Sequence, residues 1–236
     1  MSWAFILPRR FDAIARRAVK LHSDHGRDAR NHQDARHCFS VIYLSGHIRA
    51  DIDGICFMFT PHMGNKILPG RVWAADNGRY SAPSKYTDAG FLEWLGNRDP
   101  SLCLFATAPD IVGDHAATVK LSTPMLHRIR DAGYPAAFVA QDGFDEAPWD
   151  DFDCLFIGGT TNFKLGPRVP GIVSEAKRRG KWVHMGRVNS YKRLRVASVI
   201  GCDSADGTFL KFGPDINTPR LLKWLSNLHV SPHFTY

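Results

Sequence analysis

No stretch of this chain is apolar for the roughly 20 residues that a membrane-spanning helix needs, so a bilayer is not an expected partner. A G-x-G-x-x-G fingerprint, the loop that cradles dinucleotide phosphates, is missing as well, which lowers the expectation of a Rossmann fold. Cysteine is scarce. The five cysteines (38, 56, 103, 154 and 202) are odd in number, scattered and mostly set inside apolar runs. They read as reduced core residues of a cytoplasmic protein and argue against a disulfide framework. The opening "MSWAFILPRRFDAIARR" places its basic residues after the apolar ones, the wrong order for a secretory leader. There is no internal repeat, no low-complexity tract and no linker that calls for a second domain, so residues 1–236 read as one domain.

What is present is a globular composition, 44% hydrophobic and 22% charged, with a net charge of +7. Basic residues concentrate in "EAKRRGKW" (175–182) and "GRVNSYKRLR" (186–195), with further pairs at Arg9–Arg10 and Arg16–Arg17. Any one such cluster can be a solvated helix face. Together they make nucleic acid the leading partner class, because phosphate neutralisation needs a positive surface more than any special residue.

One pattern recurs along the chain. A short apolar run ends in glycine or polar residues, and an amphipathic stretch follows. The runs include "GICFMFTPHMG", "RVWAADNG", "LCLFATAPD", "AAFVAQDG", "CLFIGG", "KWVHMGRVN" and "VASVIGCDSADG"; the stretches include "SKYTDAGFLEWLGN" and "VPGIVSEAKRRG". Continuous apolar strands alternating with helices predict a parallel sheet covered on both faces. Their number in a chain of this length predicts an α/β fold, a single-domain (β/α)8 TIM barrel. Either "CFSVIYLSG" (38–46) or "FLKFGPD" (209–215) can close the ring, and the polar region 22–37 reads as an exposed loop or insert.

In such a barrel the active site lies at the carboxyl ends of the strands. The residues expected there are Asp76 with Tyr80, Asp110, Gln141 with Asp142, Gly158 with Gly159, Met185 with Gly186, and Asp203 with Asp206. A strand-end aspartate is commonly a helix cap or turn former. Several acids and amides converging on one mouth, with few basic strand-end residues to pair them, suit a ligand rich in hydrogen-bond donors.

The ordered set "ADNGRY … APD … VAQDG … FIGG … HMGRVNS … GCDSADG" resembles the queuine-type tRNA-guanine transglycosylases. It is more similar still to their shortened relatives, the phage-type DNA 7-deazaguanine transglycosylases. The resemblance spans about residues 54 to 212. It implies a barrel enzyme that exchanges guanine in a polynucleotide for a 7-deazaguanine base through a covalent aspartyl-glycosyl intermediate. By position it implies Asp206 as nucleophile, with Asp203 the competing acid, and Asp76 as acid/base partner. Tyr80 and Met185 would face the base, Asp110 would read its edge, and Gln141, Gly158, Gly159 and Gly186 would complete the pocket. These roles suit the chemistry: one carboxylate can accept from both N1–H and the 2-amino group of guanine, and glycines let backbone approach a flat ring.

The tRNA enzymes carry a zinc site, Cys-x-Cys-x-x-Cys with a later histidine, after the nucleophile segment. No cysteine follows Cys202, so neither zinc nor any other cofactor is expected, and the loosely spaced His22, His25, His32 and His37 do not suggest a metal site. Loss of that subdomain favours DNA over tRNA as the polymer, with the free 7-deazaguanine base as second substrate. Lys164, Arg187, Asn189, Lys192 and Arg193 are candidate nucleic-acid contacts. The segments "PHMGNK" (61–66) and "NFKLG" (162–166) either touch the polynucleotide or serve as ordinary loops.

Overall fold

The apolar runs become short strands because each is flanked by turn formers and rich in branched and aromatic side chains that stand well on a pleat. A computed structural model describes Phe11, Ala13, Ile14 and residues 41–46, 52, 54–64 and 67–228. The strands are β1 (Ile42–Ser45), β2 (Ile55–Phe59), β3 (Trp73–Ala75), β4 (Cys103–Thr107), β5 (Ala136–Ala140), β6 (Cys154–Ile157), β7 (Trp182–Met185) and β8 (Ser204–Asp206). All pair in parallel and in chain order as a closed barrel. The seam joins β1 to β8, with Ile42 opposite Ser204 and Leu44 opposite Asp206.

The ring is therefore closed by the run at 38–46 and not by 209–215. In the latter, Phe209–Lys211 forms a 3-10 turn and a helix starts at Pro214. Gly213 at φ 68° breaks the extended path, and proline at a first helical position suits the helix that follows.

Helix α1 (Asp88–Gly96) follows β3, α2 (His115–Asp131) follows β4, α3 (Thr161–Lys164) and α4 (Val169–Arg178) follow β6, α5 (Tyr191–Val199) follows β7 and α6 (Pro214–Leu228) follows β8, while β5 leads to β6 through a loop. Side chains of Thr87, Asp114, Thr160 and Ser190 cap α1, α2, α3 and α5 by accepting a backbone N–H of the first turn. Alternation along the strands sorts two cores. The layer under the helices holds Trp73, Phe91, Phe138, Val183 and Met185, while the barrel interior holds Leu44, Met58, Ala74, Phe105 and Trp182. At its amino end the interior is plugged by Phe11, stacked on Trp182 with centroids 5.3 Å apart. Cys56, Cys103, Cys154 and Cys202 are buried; Cys38, the polar region 22–37 with its histidines, and the pairs Arg9–Arg10 and Arg16–Arg17 lie outside the described residues. Among the described residues no helix is long and apolar enough to cross a membrane.

Candidate active site

The carboxyl ends of the strands open on a cavity of about 620 Å³, within the size range of small-ligand sites. Of the residues singled out in the sequence, Asp76, Tyr80, Asp110, Gln141, Gly158, Gly159, Lys164, Gly186, Arg187 and Asp206 line it. They do not mix evenly. The ends of β3 and β4 bring acids, the end of β5 an amide, the loops after β6 and β7 bring cations, and β8 brings Asp206.

The acidic wall is held by local hydrogen bonds. Asn77, buried beside Asp76, donates through its amide to the carbonyls of Thr107 (3.2 Å) and Ala108 (3.0 Å), clamping the end of β3 to the end of β4. Asp76 accepts from Gly78 N–H at 2.7 Å. Burial still raises its carboxyl above the usual range, and the nearby Asp206 adds to the rise. The Asp110 carboxyl is pushed up to about 6, first by burial and then by Asp76. Its Oδ2 accepts from Gln141 Nε2 at 2.6 Å, while Gln141 Oε1 accepts from Gly113 N–H at 3.0 Å. Gln141 is fully buried, and these two bonds fix which end of its amide meets Asp110. Gly158 packs so closely beneath this amide that a Cβ there would lie 2.5 Å from Val139 Cγ1 and 3.2 Å from Gln141 Nε2. Gly159 is its neighbour at the cavity wall.

Strands β7 and β8 build the Asp206 environment. Residues two apart on a strand share a face, so Trp182 and His184 point inward together, as do Ser204 and Asp206. Trp182 Nε1–H donates to Ser204 Oγ at 2.8 Å. Indole has no acceptor to offer, so the hydroxyl hydrogen is free to point at His184 Nδ1, 2.8 Å away. That leaves Nε2 as the protonated nitrogen, donating to Asp206 Oδ1 at 3.0 Å. The imidazole is fully buried between Phe105 and Phe156, with ring centroids at 4.9 and 4.5 Å. Arg187 N–H, at 3.3 Å, meets the same carboxylate oxygen. Both described donors reach Oδ1, and Asp206 lines the cavity.

The cationic wall comes from the loops after β6 and β7. Lys164 is buried, and its ammonium donates to the Gly186 carbonyl at 2.8 Å. Arg187 adopts the left-handed region at φ 59°. Its guanidinium carbon lies 3.9 Å from the centroid of the Tyr80 ring, a cation–π contact. Tyr80 follows β3 and Arg187 follows β7, four strands apart in a ring of eight, so the contact spans the mouth. Gly186 leaves no room for a side chain, since a Cβ would lie 2.5 Å from Phe156 Cε1.

Other expected residues lie elsewhere. Met185 does not face the cavity; it is buried in the layer beneath the helices, because it is one residue out of phase with His184. Asp142 accepts from the Thr160 N–H and hydroxyl and braces the loop after β6. Asp203 accepts from Lys177 Nζ at 2.6 Å and from Val183 N–H at 2.8 Å, on the opposite side of β8 from Asp206. The Asn189 carboxamide accepts from Thr208 N–H at 2.7 Å, tying the loops after β7 and β8 together. Lys192 is exposed on α5, and Arg193 reaches back to the Arg187 carbonyl at 3.4 Å.

Site residues that the sequence did not single out are His184, Ser204 and Asn77; His62 and Met63, from the "PHMGNK" segment noted there, line the cavity with Asn77. The two-residue spacing of Trp182 with His184 and of Ser204 with Asp206 is the signal that would have found the first pair. Among the described residues no group of three or more His, Cys, Asp or Glu is placed to hold a metal ion. No protein-family model matches the chain, and comparison with curated proteins gives no match either.

Proposed function

We propose that this barrel is a DNA-guanine transglycosylase, exchanging guanine for a 7-deazaguanine base such as 7-cyano-7-deazaguanine. The observation that carries the reading is the meeting of Asp206, Asp76, Asp110 and Gln141 in one cavity, with Tyr80 at its rim. Each has a chemical task in that reaction.

Guanine enters with its N1–H and 2-amino edge toward Asp110, whose Oδ1 is the oxygen not taken by Gln141. One face of the base rests on Tyr80. Asp206 Oδ2 attacks C1′ of the sugar, and the C1′–N9 bond breaks with its electron pair passing to guanine N9. Asp76, whose carboxyl burial raises above the usual range, supplies a proton to the departing base. In the second half the 7-deazaguanine takes guanine's place. Its N9–H proton returns to Asp76, N9 attacks C1′, and Asp206 leaves as a carboxylate. Covalent catalysis divides one difficult exchange into two easier displacements, and the carboxylate stabilises the oxocarbenium-like charge on the way to each bond. The His184 and Arg187 donors hold Asp206 aimed.

The test is exchange of labelled guanine into DNA and, separately, into tRNA, with mass spectrometry of the nucleosides. Label in DNA supports the proposal. Label in tRNA alone transfers the same chemistry to the other polymer, and label in neither refutes it.

A further inference from the structure

We propose that Lys164, Arg187 and Arg193 form a phosphate subsite beside Asp206, which takes the backbone phosphate of the nucleotide whose base is exchanged; this rests on the reaction proposed above. Lysine is almost never buried unless it is paired, yet Lys164 is 5% exposed and lines the cavity. Its bond to the Gly186 carbonyl uses one of three ammonium donors. Arg193 leans on the next carbonyl, that of Arg187, at 3.4 Å and on Thr161 Oγ1 at 3.5 Å, both long contacts. Arg187 itself rests on the Tyr80 ring.

Elsewhere in the molecule several basic side chains find acids, Arg130 with Asp153, Lys177 with Asp203, and Arg178 and Arg179 with Glu175, while Arg98, Arg168 and Lys181 rest on backbone carbonyls away from the cavity. Among the described residues, none of Lys164, Arg187 and Arg193 makes an ion pair with a carboxylate. The three cations thus lie together with no ion pair among them, and the acid that acts on Lys164 is Asp206 itself. Burial, followed by the repulsion of Arg187, pushes the Lys164 ammonium down to about 8. An arriving anion relieves that cost.

Phosphate is the chemistry that fits. It accepts from several N–H donors at once, and guanidinium forks match its oxygens. In a nucleotide the phosphate sits one sugar ring from C1′, the atom that Asp206 attacks. Asp110 on the opposite wall repels it, so the substrate is oriented with base toward Asp110 and phosphate toward Lys164. A nucleoside without phosphate lacks this second anchor.

Binding can be read without turnover. Titration calorimetry at low ionic strength compares guanine, deoxyguanosine and the 5′- and 3′-monophosphates of deoxyguanosine on wild type, Lys164→Met and Arg193→Met. At least one monophosphate is expected to bind about tenfold or more tightly than deoxyguanosine, the scale of a charge-assisted contact. Both variants should erase that advantage while leaving guanine binding unchanged. Arg193→Met, at a half-buried helix position, serves as the check should Lys164→Met lose its fold. Equal binding of nucleoside and monophosphates, binding of none of them, or an advantage that survives in both variants overturns the subsite. If deoxyadenosine monophosphate shows the same variant-sensitive advantage as its guanine counterpart, the subsite stands and the guanine reading falls.

Discussion

His184 Nε2 stands 3.0 Å from Asp206 Oδ1, and the two side chains enter the barrel interior from neighbouring strands, His184 level with Ser204 and Asp206 two residues further on. The contact is the last link of a chain whose direction is set at its other end by Trp182, a residue that can only donate. A hydrogen bond of this kind orients the carboxylate and leaves one oxygen for chemistry.

Asp206→Asn is expected to abolish base exchange while leaving the fold intact, since an amide is a poor nucleophile of similar shape. A protein–DNA adduct trapped under denaturing conditions should form with wild type, disappear on adding 7-deazaguanine, and be absent in this variant. Asp203→Asn should keep the adduct. Its loss is in stability, about 1–3 kcal/mol in urea unfolding, because Lys177 and the Val183 N–H lose a charged acceptor.

Removing the relay should tell orientation from bulk. His184→Gln can still present an N–H toward Asp206, whereas His184→Phe cannot. We expect exchange by the Phe variant to fall about 100-fold, and by the Gln variant clearly less, at similar thermal stability; general electrostatic and positioning effects have this size. Equal losses in the two variants would reduce His184 to a packing residue.

Asp110 connects recognition to pH. Its folded carboxyl titrates at about 6, against about 3.9 in an unfolded chain. Below about pH 4 both states are protonated and burial costs nothing. Between the two values the folded state alone holds the proton, so stability falls as pH rises, and the full cost is present above pH 6. Asp110→Asn should therefore gain on the order of 2 kcal/mol over wild type between pH 4 and pH 7 in denaturant unfolding. The same variant should lose about 2–4 kcal/mol in transition-state binding of guanine, as the amide now opposes a donor.

The rim makes a separate contribution. Replacing Tyr80 by alanine should weaken substrate binding by about 1–3 kcal/mol, the worth of a base–aromatic stack, with Tyr80→Phe near wild type. If KM for DNA is unmoved in Tyr80→Ala, the ring is not a base platform.

Much of this architecture could be read in advance because it depends on periodicity. Strands buried on both faces show as unbroken apolar runs, and their alternation with amphipathic stretches leads to a barrel. Asp203 and Asp206 were both expected at the mouth, and their odd, three-residue offset puts them on opposite faces. Met185 was misplaced because a residue at a strand end can turn either way, and His184, one position earlier, took the inward phase. That histidine went unnoticed because inside an apolar run it resembles any buried polar residue until its partner on the next strand is known. The contact of Arg187 with Tyr80 joins loops from opposite sides of the ring, a relationship that no local pattern encodes.

Asp206 sits at the end of its strand with its side chain 22% exposed, below a rim crossed by Arg187 and Tyr80. A stacked and paired nucleotide cannot bring C1′ to such a depth. Under the proposed reaction the target must swing out of its helix, at a cost of a few kcal/mol in lost stacking and pairing. Bulges, mismatches and single strands start with part of that cost removed, so the recess itself discriminates among DNA conformations before any base is read.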